Sequence, residues 1–268
     1  MKLLHLRPRV EVDNLDDGAL VRLMRGHRLS DSVRLGPNQV HFVILHPDGT
    51  VEDLGISTNL LTTVGRDLLA AGLGNPTGKD GALTASSATS ATPSGGGMTT
   101  DQYKGWRVFC PVTGLTTAPV YGNIGSNSAT VLTVDGWWIG TSDTMTGTTP
   151  ASTNGYHIQP STIARFMGLT TDGAAAAAGD TTLATELTTN GLGRAKATYA
   201  HTGAAATYTL TNTFSVSGGP QTVHKGGLFT AANTTAAGVL VFETVANADA
   251  IVTTSDSLVA TWTVTLSG

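Results

Sequence analysis

The sequence predicts a mainly β protein: an antiparallel β-sandwich at the carboxy-terminal end with one packed helix, an inserted small β domain, and a short α/β segment at the amino terminus. Three observations predict it. Of 268 residues, 45 are threonine and 33 are glycine, and among the threonines only Thr50 and Thr58 precede residue 60. Small and β-branched side chains suit packed sheets better than helices. The last hundred residues alternate at the period of a strand: Tyr208, Leu210, Phe214 and Val216 fall on one face of one segment, and Leu258, Trp262, Val264 and Leu266 on one face of another. The clearest helical stripe, Leu61, Val64, Leu68 and Ala71, is confined to one short segment.

Residues 1–57 read as an amino-terminal docking segment with a helix and a hairpin. The helix is expected over 14–28, where Leu15, Leu20, Leu23 and Met24 share a face and Asp16 and Asp17 favour its start. Strands over 40–45 and 50–54 flank His46-Pro47-Asp48-Gly49. Proline presets φ there and Asp-Gly tolerates left-handed geometry, so the pair reads as a β-hairpin. Residues 58–76 hold the clearest helix, over 59–71, capped by Thr58 or Asn59, stopped by Gly72 and Gly74, and expected to pack on a sheet.

Residues 77–160 read as a second small β unit. Its first part, 78–97, is Ala, Ser, Thr and Gly with almost no large apolar residue, which reads as a loop or extended linker, or as a stretch ordered against a neighbour in an assembly. Strands are expected over 105–112, 120–124 and 129–138, with Asp135-Gly136 as a bulge or turn. Residues 161–268 make the sandwich, with strands over 194–201, 207–216, 222–229, 238–245 and 258–266 and one small helical turn over 180–187.

Catalytic templates fail one by one. Gly78-Lys79 resembles the end of a phosphate-binding loop, but Leu73 and Asp80 break the pattern and the segment follows a helix. There is no Gly-x-Ser-x-Gly elbow, and Cys110, the single cysteine, has Val108, Phe109 and Val112 around it and reads as a buried small hydrophobe. The seven histidines (His5, His27, His41, His46, His157, His201, His224) lack zinc-site spacing. Asp16-Asp17 and Glu52-Asp53 are chain neighbours, which seldom converge on one substrate. No cofactor, metal or catalytic residue is therefore expected, and the protein reads as no enzyme. The candidate binding residues are Trp137 and Trp138, either as interface side chains or as a sugar-stacking platform. Adjacent residues of a strand point opposite ways, so one is expected in a core and the other at an interface.

Only 13% of residues are charged, against roughly 25% in an average globular domain. The deficit is local. Beyond residue 107, twelve charged side chains serve 161 residues, whereas Lys2, Arg7, Arg9, Arg22, Arg25, Arg28 and Arg34 lie in the first 36 residues, interleaved with Glu11, Asp13, Asp16, Asp17 and Asp31. This mixed pattern and a net charge of −4 argue against nucleic-acid binding. No stretch approaches the ~18 apolar residues of a membrane span, and His5, Arg7 and Pro8 break any signal-peptide core, so a product of a host cytoplasm with no membrane partner is expected.

The asparagine-led segment 59–71, the Thr-rich segment 181–195, the strands 208–214 and 223–229, and the Trp262-containing strand 261–266 together resemble exterior structural proteins of tailed double-stranded DNA bacteriophages. In that module a helix precedes a β-sandwich that ends in a Trp-containing strand. The resemblance implies a virion protein without catalytic residues: a capsid decoration (cement) or minor capsid protein stabilising the shell, with a neck, tail or fibre component as the nearest alternative and a host-carbohydrate-binding adhesin as a further one. It also implies that 77–160 is an extra β domain. The major capsid protein or other virion proteins are the expected partners. A symmetric homo-oligomer, a trimer, is expected from the sparse charge, because small uncharged residues let subunits approach without desolvating charge.

Overall fold

The computed structural model describes residues 34–35, 38–74, 78–111, 119–139, 145–146, 148–161, 164–232 and 238–267. The helix expected over 14–28 lies outside them. In chain order the first part contains β1 (Arg34–Leu35), β2 (Gln39–Leu45), β3 (Val51–Thr58), β4 (Leu60–Leu61) and α1 (Thr63–Gly74). The second part contains β5 (Asp80–Ser87), β6 (Ser90–Pro93), β7 (Arg107–Cys110), β8 (Val120–Asn127), β9 (Leu132–Val134), β10 (Trp137–Ile139), β11 (Met145–Thr146) and β12 (Gly155–Gln159). The last part contains β13 (Phe166–Thr170), β14 (Ala195–Lys196), β15 (Thr198–His201), β16 (Thr207–Ser215), β17 (Gln221–Phe229), β18 (Leu240–Val252) and β19 (Ser257–Ser267).

The first and last parts interlock as the sandwich. One sheet runs β15-β16-β19-β2-β3, with β1 also on β19; the other runs β14-β13-β17-β18-β4. The amino-terminal hairpin therefore does not stand apart as a docking segment: β2 pairs with β19 over seven residues, from Gln39 opposite Thr263 to Leu45 opposite Ser257. The alternation of Val40, Phe42 and Ile44 explains this, since a hairpin with one apolar face must cover it. Those side chains meet Leu210 and Phe214 of β16, Leu258, Ala260 and Trp262 of β19, and Met167, Leu169 and Leu228 of the opposite sheet in one core. Trp262 is fully buried and stands edge-on to Phe42, ring centres 6.5 Å apart. Gly226 lets the sheets close over this pair, because a Cβ there would lie 3.1 Å from Trp262 and 3.2 Å from Phe42.

The helix begins later than its sequence pattern suggests. Leu60 and Leu61 pair with Glu243 and Phe242 as β4, so sheet pairing takes the residues expected in the first turn. Thr62 is then the cap: its Oγ1 accepts a hydrogen bond from Gly65 N at 3.0 Å and donates to the Leu240 carbonyl. The turn expected over 180–187 is not helical. It is part of an irregular strap, residues 171–194, which meets the sheet at the bridge between Thr170 and Glu186 and through the Leu187 N–H, which donates to the Leu169 carbonyl at 2.8 Å.

The insertion is a closed barrel. Its strands pair in the ring β8-β7-β12-β5-β6-β9 and back to β8, with β10 and β11 extending from β8. The stretch 78–97 is the β5–β6 hairpin of that ring rather than a linker, held on its outer sides by β12 and β9. Closure removes the open edges that such a small-residue sheet would expose. Leu83, Val108, Ile124, Leu132, Trp137 and Ile158 fill the interior. Entry strand β5 and exit strand β12 are paired neighbours, so the barrel is inserted into the sandwich without separating its two parts.

Truncating Trp262 to Ala is expected to destabilise the sandwich by about 3–5 kcal/mol in urea unfolding, whereas Val51→Ala, at a side chain left 63% exposed, stays within about 0.5 kcal/mol.

Candidate functional site

Two internal sites carry the unusual chemistry of this chain, both on the outer face of the sheet that contains β13, β17 and β18. Residues of β13 alternate between its faces: Met167 and Leu169 enter the sandwich core, while Phe166 joins a second cluster with Tyr121, Trp138, Leu183, Phe229 and Leu240. That second face is covered partly by the barrel and partly by the strap.

The barrel joint is aromatic and cationic. Trp138 stacks on Tyr121 at 6.4 Å and 12° and meets Phe166 at 5.5 Å. Lys196 Nζ lies 5.1 Å from the Trp138 ring centre, Arg107 4.2 Å from Tyr121 and Arg194 3.5 Å from Phe229. Asp135 is the polar pivot. Its Oδ1 accepts from Asn123 N (3.2 Å) and Trp138 Nε1 (3.1 Å), and its Oδ2 from Asn123 Nδ2 (2.8 Å) and, across the joint, from Ala232 N (2.9 Å). Burial pushes the Asp135 pKa up and these donors oppose it without cancelling it. Gly136, at φ +136°, makes the kink that separates β9 from β10 and turns the two tryptophans to opposite faces.

The pair Trp137 and Trp138 therefore divides as alternation requires, but both are buried, at 1% and 6% exposure. Trp137 lies in the barrel core, its Nε1 donating to Ser87 O at 2.8 Å; Trp138 lies in the joint between barrel and sandwich. The interface is internal to the chain, and neither ring offers the open face that sugar stacking needs.

Under the strap sits a cluster that the sequence reading missed. Lys225 is in mid-β17, between Thr170 of β13 and Val245 of β18, and points outward from the sandwich core. Its Nζ lies 2.8 Å from Asp172 Oδ2 and 2.9 Å from Glu243 Oε1. Lys225 and Glu243 are 2% and 1% exposed. The Glu243 oxygens lack a well-aligned hydrogen bond, so the approach of Lys225 is a charge contact. Burial pushes the Glu243 pKa up, Lys225 opposes this, and Asp180 adds to it. Asp180 moves down through its contact with Glu243. Burial works against the Lys225 ammonium, but Asp172 and Glu243 outweigh it and hold its pKa above the ordinary value; Lys225 in turn lowers that of Asp172. A groove of about 720 Å³, lined by Asn59, Ala175, Ala176, Glu243 and Asn247 among others, lies beside the strap. The legible signal was Glu243 itself, a carboxylate ending the apolar run Val239-Leu240-Val241-Phe242.

The remaining titratable groups stay apart. His41, His46, His157 and His224 each pair with an aspartate, respectively Asp53, Asp256, Asp80 and Asp249. The hydrogen bond from Asp256 holds His46 above the ordinary histidine pKa. Among the described residues no three His, Cys, Asp or Glu side chains converge as metal ligands, and no helix is long and apolar enough to cross a membrane. Burial pushes the Cys110 thiol up to about 12, which keeps it from acting as a thiolate. No protein-family model, curated protein or solved structure matches the chain.

Replacing Asp135 by Ala strands the Asn123, Trp138 and Ala232 donors, and is expected to cost about 3–5 kcal/mol of unfolding free energy, with Asp135→Asn losing less because it retains an acceptor oxygen.

Proposed function

We propose that this chain is a non-enzymatic structural protein of a tailed bacteriophage virion, a capsid decoration or minor capsid protein that binds the major capsid protein and stabilises the shell as a homo-oligomer, a trimer. The supporting observation is where the cations go. Every lysine and arginine from residue 107 onward, namely Arg107, Arg165, Arg194, Lys196 and Lys225, is turned into the joint or the strap, and none is exposed. Among the described residues from 107 onward, Asp249 is the one exposed charged side chain, and the exterior there otherwise presents small neutral residues and isolated apolar side chains such as Tyr199 and Ile251, each more than half exposed. Surfaces of this kind approach one another with little charge desolvation, and many copies on a lattice hold by avidity where each contact is modest. The resemblance of 59–71 and of the Thr-rich strands to exterior phage proteins gives the particle on which this would happen.

Burial of both Trp137 and Trp138 removes the feature that favoured a carbohydrate-binding adhesin. Immunogold labelling of virions produced by the genome that encodes the chain tests the proposal. Label distributed over the icosahedral shell is expected; label confined to neck, tail or fibres, or absent from particles, overturns it.

A further inference from the structure

We propose that Lys225 and Asp172 become joined by an intramolecular isopeptide bond, with Glu243 carrying the proton. Four features of the strap cluster support it. Nucleophile and electrophile are in contact, with Nζ 2.8 Å from Asp172 Oδ2. Both are held on rigid elements: Lys225 is paired on both sides within its sheet, and Asp172 is anchored two residues beyond β13 by its own N–H, which donates to Thr170 Oγ1 at 3.0 Å. The second carboxylate oxygen, Oδ1, already accepts a hydrogen bond from Ala174 N at 3.1 Å, which is the donor an oxyanion would need. Glu243 stands 2.9 Å from Nζ, within reach to relay a proton between nitrogen and the departing oxygen.

The chemistry balances without any co-reactant. Lys225 passes one ammonium proton to Asp172 Oδ2, which yields a neutral amine and a neutral acid at the expense of the ion pair that raises the Lys225 pKa and lowers that of Asp172. The Nζ lone pair attacks Asp172 Cγ and forms the C–N bond, while negative charge gathers on Oδ1 against the Ala174 N–H. Glu243 takes a second proton from nitrogen and returns one to Oδ2. The Cγ–Oδ2 bond then breaks and Oδ2 leaves as water, carrying two of the original ammonium protons. The Asp172 side chain is 25% exposed, which gives this water a way out. The product is an amide between β17 and the start of the strap, with both charges gone.

This also accounts for the burial of a lysine in so charge-poor a chain. A buried ion pair is a weak source of stability because desolvation offsets its attraction. An amide in the same place carries no such penalty and fixes the strap covalently over the sheet.

Intact-mass spectrometry of the folded, then denatured, full chain decides the matter. The expected mass is that of the sequence less one water, with proteolysis yielding a branched peptide that contains both Lys225 and Asp172. Lys225→Met and Asp172→Ala should each restore the full mass, and Glu243→Gln should slow bond formation by about a hundredfold or more. A wild-type chain at full sequence mass after prolonged folding overturns the proposal. So does a water loss that persists in Lys225→Met, since it would come from another site. Unchanged bond formation in Glu243→Gln would overturn the role given to Glu243.

Discussion

Over 166–170, 225–229 and 240–244 the sheet of β13, β17 and β18 is buried on both faces, and the rest of the molecule is arranged around that constraint. One face supplies half of the sandwich core through Met167, Leu169 and Leu228; the other carries Phe166, Phe229 and Leu240 and has no second sheet to cover it. The insertion and the strap take that place. Trp138 and Tyr121 of the barrel cover one part, and Leu183 with the Arg194–Glu186 pair covers another. A barrel free to swing on its connections would leave this aromatic surface wet. The contacts around Trp138 and Asp135 therefore serve the stability of the sandwich as well as the position of the barrel.

Covering an outer face with irregular segments requires polar groups as well as apolar ones, because the backbone groups of strap and joint need partners. Asp135 supplies four acceptor contacts to groups from both bodies, and Arg194 anchors strap to sheet by pairing with Glu186 and donating to the Ala231 carbonyl at 3.2 Å. The few charges of the carboxy-terminal two thirds are thus concentrated in its interior seams. Exposed charge lies mainly in the first part of the chain and the start of the barrel, at residues such as Glu52, Asp53, Asp67 and Asp80.

Legibility followed one-sided burial. β2, β16 and β19 bury one face each, so their alternation of large and small residues announced them. β13, with Phe-Met-Gly-Leu-Thr buried throughout, has no alternation to read, and β12 lies where small residues and turns hid its partners. The β5–β6 hairpin looked like a linker because it is held by closure onto β12 and β9, distant in sequence, and most of its small side chains face outward, with Leu83 and Ala91 turned into the core. Helix α1 was visible in the stripe of Val64 and Leu68, but its start moved when β18 recruited Leu60 and Leu61. The tryptophan pair was correctly read as facing two ways. What no local pattern reveals is that both ways lead inside, or that Lys225, Asp172 and Glu243, spread over 71 positions of sequence, meet at one point.

The central claim is that barrel and sandwich form one body through the Asp135 joint. Hydrogen exchange at the Asn123 and Ala232 amides, one on each side of that joint and both donating to Asp135, measures it most directly. The account predicts that both exchange only with the core strands β17 and β19, by global unfolding. Exchange of Ala232 at loop rates while β17 stays protected would show that the joint opens freely, and would contradict it.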